Sequence, residues 1–268
     1  MAKKKAPSAD VRAKAAQMRE AEKKREKRTR DIIVAVVAVL IVAIVAAIVL
    51  IIVNRPKASD AADAIPEAFA EGQAFVVSSE GVSAGSPEGD SLTSYFDYTC
   101  PGCMQLEALI GEDLVQGATA GDYKLAYAPV LTSAAPYNTA ATAASLVVAS
   151  EAPDLFLPLH SALAAYSGQA IASQDTAVIT NMTQSTDAVK QIATQVGVPE
   201  DLIAKFDNNA AAAYLRIATD GWVARDTEGR ENPTTPELVY DGVKLSTAGT
   251  GADVVYQSVL DQMASLAQ

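Results

Sequence analysis

The stretch Tyr98-Thr99-Cys100-Pro101-Gly102-Cys103-Met104 contains both cysteines of this 268-residue chain. The two thiols are three positions apart, at a point where the hydrophobic pattern changes its period. Residues 91–98 partly alternate and include aromatic side chains, which predicts a strand. Apolar residues between 103 and 114 recur near helical spacing. We therefore predict that the cysteine pair lies where a strand passes into a helix.

Three kinds of chemistry could use such a pair. A structural zinc site needs four ligands, but the chain has no third cysteine and only one histidine, His160, so we expect no metal. A structural disulfide would close a very short loop and would restrict the unfolded chain little. A redox pair fits the position best, and the sequence offers no sign of a cofactor.

The redox interpretation gives the two sulfurs different roles. A thiolate at a helix N-terminus is stabilised by the helix dipole and by unpaired backbone N–H groups. Cys100 is therefore predicted to be the nucleophile and Cys103, about one turn later, the resolving thiol. Pro101 suits a first helical turn because its missing N–H is no loss there, and Gly102 leaves the sulfurs unshielded. We expect these two residues to tune the redox pair.

The elements around the pair predict a sheet with helices packed on it. Strands are expected at 74–78 and 122–131, and a turn rich in Gly, Ser and Pro at 81–89. Residues 137–226 show hardly any strand signal and are predicted to form a block of helices. Asp241-Gly242 separates two short apolar runs, 237–240 and 243–246, which favours a hairpin. A final helix is expected at 252–266.

A proline-containing segment, Asn232-Pro-Thr-Thr-Pro236, stands directly before that hairpin. Together with the Cys-x-x-Cys pair it resembles the thioredoxin superfamily. In that family a cis-proline loop lies against the active cysteines, and the residue before the proline pairs with the substrate backbone. The resemblance therefore implies that Thr235 and Pro236 bind substrate.

The helical block resembles the insertion of the disulfide-bond-forming, DsbA-like branch of that superfamily. Residues 96–101 (FDYTCP) are similar to that branch's approach to its active site. The implied fold is α/β, a thioredoxin-like domain with an inserted helical domain, covering residues 72–268. One departure is Pro101-Gly102, where the best-known oxidases have Pro-His. That histidine would make the disulfide more oxidising, so its absence leaves the redox direction open.

The N-terminal segments predict a membrane anchor. Residues 1–30 carry twelve Lys or Arg and four acidic side chains, a net charge of +8. The next segment, 32–53, is a run of apolar residues without charge, long enough as a helix to cross a bilayer of about 30 Å. A cleaved signal peptide would have shorter basic and apolar regions. We expect a cytoplasmic tail at 1–31, one uncleaved transmembrane helix at 32–53, a linker at 54–71 and an extracytoplasmic domain.

Charge and family resemblance together define the predicted function. Because the whole chain carries −11 and the first thirty residues +8, the remainder carries −19, which argues against nucleic acid as a partner. We predict a membrane-anchored thiol–disulfide oxidoreductase that forms disulfides in exported cysteine-containing proteins. The tail and anchor resemble those of membrane-tethered versions in Gram-positive bacteria of the actinobacterial type. The family resemblance implies a quinone-linked membrane partner that reoxidises the pair. The alternatives are a disulfide reductase or isomerase, and a non-catalytic peptide-binding or chaperone module.

Four further residues have sequence contexts that leave their roles open. Asp97, three residues before Cys100, could relay a proton or face away from it. His160 lies in an apolar helical segment and is predicted to be structural. We expect Glu107 to be solvated and Trp222 to fill the core.

Overall fold

The computed structural model describes residues 58–87 and 91–268, and within these ranges six strands form one sheet. The strands are β1 (Ala74–Ser78), β2 (Gly81–Gly85), β3 (Ser91–Phe96), β4 (Lys124–Pro129), β5 (Glu237–Tyr240) and β6 (Val243–Lys244). Their order across the sheet is β2-β1-β4-β3-β5-β6. β3 and β4 are parallel, and the other neighbouring pairs are antiparallel.

Helices pack on this sheet and form the block between β4 and β5. The α-helices are α1 (Ala58–Asp63), α2 (Pro101–Ala120), α3 (Pro136–Glu151), α4 (Phe156–Ala172), α5 (Thr176–Thr180), α6 (Met182–Val196), α7 (Glu200–Ile203), α8 (Asn208–Ala224) and α9 (Ala252–Leu266). Short 3-10 turns lie at Glu67–Phe69 and Pro153–Leu155. The hydrophobic pattern thus changes from a period of two to helical periodicity after β3, where the sequence analysis predicted it.

The parallel pair β3 and β4 positions the cysteines. β3 runs in register with β4 from Ser91 opposite Lys124 to Phe96 opposite Pro129. A parallel pair needs a crossover, and α2 supplies it. Cys100 therefore lies near the carboxyl ends of the parallel strands β3 and β4, beside the loop that follows β4.

The hydrophobic core joins the sheet to the helical block. Phe75 of β1 packs against Phe156 of α4, with ring centroids 4.8 Å apart, and lies 6.3 Å from the ring of Tyr214 in α8. Tyr214 is fully buried and its hydroxyl donates to the carbonyl oxygen of Gln73. Because aromatic rings of the sheet and of the helical block at 136–224 pack against each other, the sheet and the helices form one core.

Two expectations from the sequence need correction. Residues 81–85, predicted as a turn, form the edge strand β2, whose Ala84 pairs with Phe75. A Cβ on Gly85 would lie 2.6 Å from Cγ2 of Val76, so this Gly permits close strand pairing rather than a turn. The segment predicted as a linker also contributes to the fold, because Ile65 and Phe69 are buried in the core.

The predicted tail and the predicted span at 32–53 lie outside the described residues. Within residues 58–87 and 91–268, none of the helices combines the length and the apolar character that crossing a membrane requires.

Candidate active site

Cys100 occupies the N-cap of α2, the position expected for a reactive thiol. Its backbone is extended, with φ −81° and ψ 117°, and Pro101 follows in the first turn. The backbone N–H of Cys103 donates to the Cys100 sulfur at 3.4 Å. Both cysteines are free thiols, Cys100 partly exposed and Cys103 only 3% exposed. The geometry therefore presents one sulfur to solvent and shields the other.

Local hydrogen bonds give the two thiols very different acidities. A hydrogen bond with the Cys103 side chain, together with the backbone N–H groups of Cys103 and Gly102, lowers the pKa of Cys100 to about 6, although partial burial opposes this. The hydrogen bond with the Cys100 side chain and the burial of Cys103 raise the pKa of Cys103 well above its ordinary value. At neutral pH Cys100 is therefore the thiolate, and the thiolate is the nucleophile and the better leaving group.

The loop before β5 lies against the cysteine pair. The Thr235–Pro236 bond is cis, as the family resemblance implied. The carbonyl oxygen of Thr235 is 3.4 Å from the Cys100 sulfur. A Cβ on Gly102 would lie 3.0 Å from Cδ of Pro236, so the absence of a side chain at 102 allows the two loops to approach this closely.

Asp97 ties together the loops that surround Cys100. The residue is fully buried, and one carboxylate oxygen accepts from the backbone N–H and hydroxyl of Thr99. The other oxygen accepts from the N–H and hydroxyl of Thr132 and from the N–H of Ser133. The hydroxyl of Thr235 donates to that of Thr132 at 3.5 Å. The Asp97 carboxylate thus joins Thr99 to the loop after β4 and organises the site.

His160 belongs to a buried polar cluster below α2. Its Nδ1 is 2.8 Å from the hydroxyl of Tyr98, and its Nε2 is 3.5 Å from Oε1 of Glu107. Glu107 accepts a hydrogen bond from the hydroxyl of Tyr127 at 3.3 Å. A void of about 10 Å³, the size of one water, lies between Cys103, Glu107 and His160. Glu107, expected to be solvated, is partly buried instead.

A second buried cluster holds the segment that carries the cis-proline. Glu237, directly after Pro236, accepts hydrogen bonds from the indole N–H of Trp222 at 2.6 Å and from the guanidinium of Arg230 at 2.7 Å. Arg230 also donates to the carbonyl oxygens of Trp222 and Arg225. The Glu237 side chain is fully buried. Trp222 therefore fills the core as expected and also fixes the start of β5.

The structure brings every predicted site residue together, namely Cys100, Pro101, Gly102, Cys103, Thr235 and Pro236. The sequence missed the roles of Thr132 and of the Arg230–Glu237 pair. Thr132 lies 35 residues from Asp97, and Arg230 lies seven residues before Glu237. No hydrophobic periodicity or local motif indicates either contact. Within the described part of the chain, no group of three or more His, Cys, Asp or Glu side chains is arranged to hold a metal ion.

Comparisons with known proteins agree with this fold. No family model and no curated protein matches the sequence. Among solved structures, the chain is similar to the MdbA thiol-disulfide oxidoreductase of Actinomyces oris, with 23% identity, 65% of this chain and 80% of that chain covered, and a TM-score of 0.53. DsbA of Mycobacterium tuberculosis in its reduced form follows, with 20% identity, 74% and 100% covered, and a TM-score of 0.48. The first of these similarities supports the predicted α/β, thioredoxin-like fold.

Proposed function

We propose that this chain is a thiol–disulfide oxidoreductase that forms disulfides in exported proteins. The observation that carries the proposal is the N-cap position of Cys100, where its pKa is lowered to about 6 while Cys103 remains buried and protonated. A structural disulfide would need neither an exposed sulfur nor a depressed pKa. Similarity to a protein named as a thiol-disulfide oxidoreductase supports the same activity.

The chemistry starts from the oxidised chain, in which Cys100 and Cys103 share a disulfide. A substrate thiolate attacks the exposed Cys100 sulfur, the internal S–S bond breaks, and Cys103 leaves with the electron pair and takes up a proton. A second substrate thiolate then attacks the substrate sulfur of the mixed disulfide, and Cys100 leaves as a thiolate. The substrate loses two electrons, and the chain ends with two reduced cysteines.

The low pKa of Cys100 favours the oxidising direction. A thiol of lower pKa leaves faster, and a stabilised thiolate makes the reduced chain more stable relative to its disulfide. Equilibration of the full chain with glutathione buffers should therefore give a reduction potential clearly above about −270 mV, the value of thioredoxin. A potential at or below that value would instead indicate a reductase or isomerase.

The location and the partners form a second part of the proposal. A helix at 32–53, preceded by the basic tail, would anchor the chain with its C-terminal domain outside the cell membrane. A quinone-linked membrane protein would reoxidise Cys100 and Cys103. Protease added to intact cells should digest the C-terminal domain and spare the tail. Protection of the domain would contradict this orientation, and a mature chain starting near residue 60 would indicate a cleaved signal peptide.

A further inference from the structure

A groove runs between α2 and α4, starting beside the reactive cysteine. Its volume is about 910 Å³, at the upper end of the range for ligand sites. The α2 side extends from Pro101, adjacent to Cys100, to Val115. At about 1.5 Å per helical residue this is roughly 21 Å, a length that an extended peptide of about six residues would fill. We call this feature the α2/α4 groove.

The lining of the α2/α4 groove is apolar with only acidic formal charges. Its apolar contacts include Met104, Leu109, Leu157, Pro158 and Ile171. The charged side chains that line it are Glu107, Glu112 and Asp113, and none of its lining residues is Lys or Arg. Like charges across an interface are unfavourable. The groove therefore disfavours acidic ligands and favours an apolar segment with a positive charge.

The floor of the groove contains polar atoms with unused bonding capacity. His160 is 2% exposed, and in the described part of the chain its Nε2 makes no hydrogen bond, although it lies 3.5 Å from Oε1 of Glu107. Beside it, the Glu107 side chain is 21% exposed. A carboxylate has about four acceptor sites, so Glu107 can accept from a ligand as well as from Tyr127.

We propose that the α2/α4 groove binds an apolar peptide segment carrying a Lys or Arg side chain, which pairs with Glu107. The segment belongs to the substrate protein whose cysteine is joined to Cys100, and this part of the inference rests on the proposed function. Pro101, which lines the groove, directly follows Cys100, and the Thr235 carbonyl is 3.4 Å from the Cys100 sulfur, so one substrate can contact both. Basic residues near the cysteine would then determine which thiols react fastest.

Peptide binding can be tested without redox chemistry. A fluorescein-labelled, cysteine-free apolar hexapeptide with a central Lys is titrated with the full-length chain in detergent and followed by fluorescence anisotropy. We expect it to bind at least ten-fold more tightly than the matched peptide with Glu at that position. Glu107→Gln, which keeps the side-chain shape, should reduce this preference several-fold. Equal affinity for the two peptides would overturn the proposal.

Filling the groove gives a second test of its location. Ala165 of α4 is exposed and lines the groove, so Ala165→Trp should weaken binding of the Lys peptide at least ten-fold. If that variant fails to fold, Ala108→Trp fills the groove from the α2 side and should weaken binding of the Lys peptide equally. Ala212→Trp, at an exposed position of α8 outside the groove, is the matched control and should change nothing. Unchanged binding in both folded groove variants would overturn the proposal.

A kinetic test separates the groove from the proposed activity. Dithiol peptides with a Lys or a Glu beside the cysteine are oxidised by the full chain, and each rate is divided by that for dithiothreitol. The Lys peptide should be favoured about ten-fold, and Ala165→Trp should abolish this preference. Failure to oxidise dithiothreitol would refute the proposed function but leave the binding result intact. Oxidation of both peptides at equal relative rates would refute the groove as a substrate site.

Discussion

The carbonyl oxygen of Thr235 lies 3.4 Å from the sulfur of Cys100, although 135 residues separate the two in sequence. This contact places the backbone of the loop before β5 beside the one exposed sulfur of the cysteine pair. In the proposed function, an extended substrate chain would pair with this backbone while its own sulfur reaches Cys100. In the proposed function, substrate positioning and sulfur chemistry would thus come from segments that are far apart in the sequence.

The unequal exposure of the sulfurs predicts which variant traps substrates. In Cys103→Ala the remaining Cys100 thiol can form mixed disulfides, and no neighbouring thiol can attack them. Adducts with cell-envelope proteins should therefore accumulate on non-reducing gels. Cys100→Ala leaves only the buried Cys103 and should trap almost nothing and lose activity. Equal adducts in both variants would show that the roles are assigned wrongly.

The lowered pKa of Cys100 predicts how its reactivity changes with pH. Alkylation of the reduced chain by iodoacetamide should rise through pH 6 and reach a plateau above pH 7, because only the thiolate reacts and the pKa is about 6. Cys103→Ala removes the hydrogen bond that lowers this pKa most. Its alkylation profile should move to higher pH, and an identical midpoint in the two proteins would contradict this account.

The same pKa makes the stability of the reduced chain depend on pH. An unfolded cysteine has a pKa near 8.5, above the value of about 6 in the fold. The stabilising effect is therefore complete above pH 8.5 and is lost as pH falls through 6. The urea midpoint of the reduced chain should fall over this range. Cys100→Ala is the control, and its midpoint should lack that component of the pH dependence.

The sequence predicted elements with strong local signals and missed features that depend on tertiary contacts. Periodicity and the Asp-Gly turn correctly predicted the positions of β1, β5 and α9. β2 was missed because its Gly and Ser residues suggest a turn, whereas pairing with β1 decides the outcome. The Asp97 network joins loops more than thirty residues apart, and hydrophobic patterns carry no information about such contacts.

The buried Asp97 network predicts a cost for removing its carboxylate. Asp97→Ala leaves the N–H groups of Thr99, Thr132 and Ser133 without this acceptor, and hydrogen bonds to a charged group contribute about 1.5–3 kcal/mol each. We expect the free energy of unfolding to fall by at least about 3 kcal/mol. The exposed Asp122 is the control, and Asp122→Ala should change stability by less than about 0.5 kcal/mol. Similar losses in both variants would show that the network is not important.

The buried pair of Arg230 and Glu237 predicts a pattern in a double-mutant cycle. Arg230→Met leaves the fully buried Glu237 carboxylate without its cation, which should cost about 3–5 kcal/mol of unfolding free energy. Adding Glu237→Gln removes the uncompensated charge while keeping an acceptor for the indole N–H of Trp222. The double variant should therefore recover part of that loss, because a buried charge without its partner is the main source of the cost.

The exposed pair of Lys205 and Glu151 is the matched control for this cycle. Both side chains are about half exposed, so Lys205→Met should cost less than about 1 kcal/mol. Urea unfolding followed by the fluorescence of the chain's one tryptophan, Trp222, measures the stability of the three variants. Because Glu237 directly follows Pro236, Arg230→Met should also slow oxidation of peptide dithiols in the fraction that remains folded. Full stability in Arg230→Met, or a double variant less stable than Arg230→Met alone, would contradict the role given to this pair.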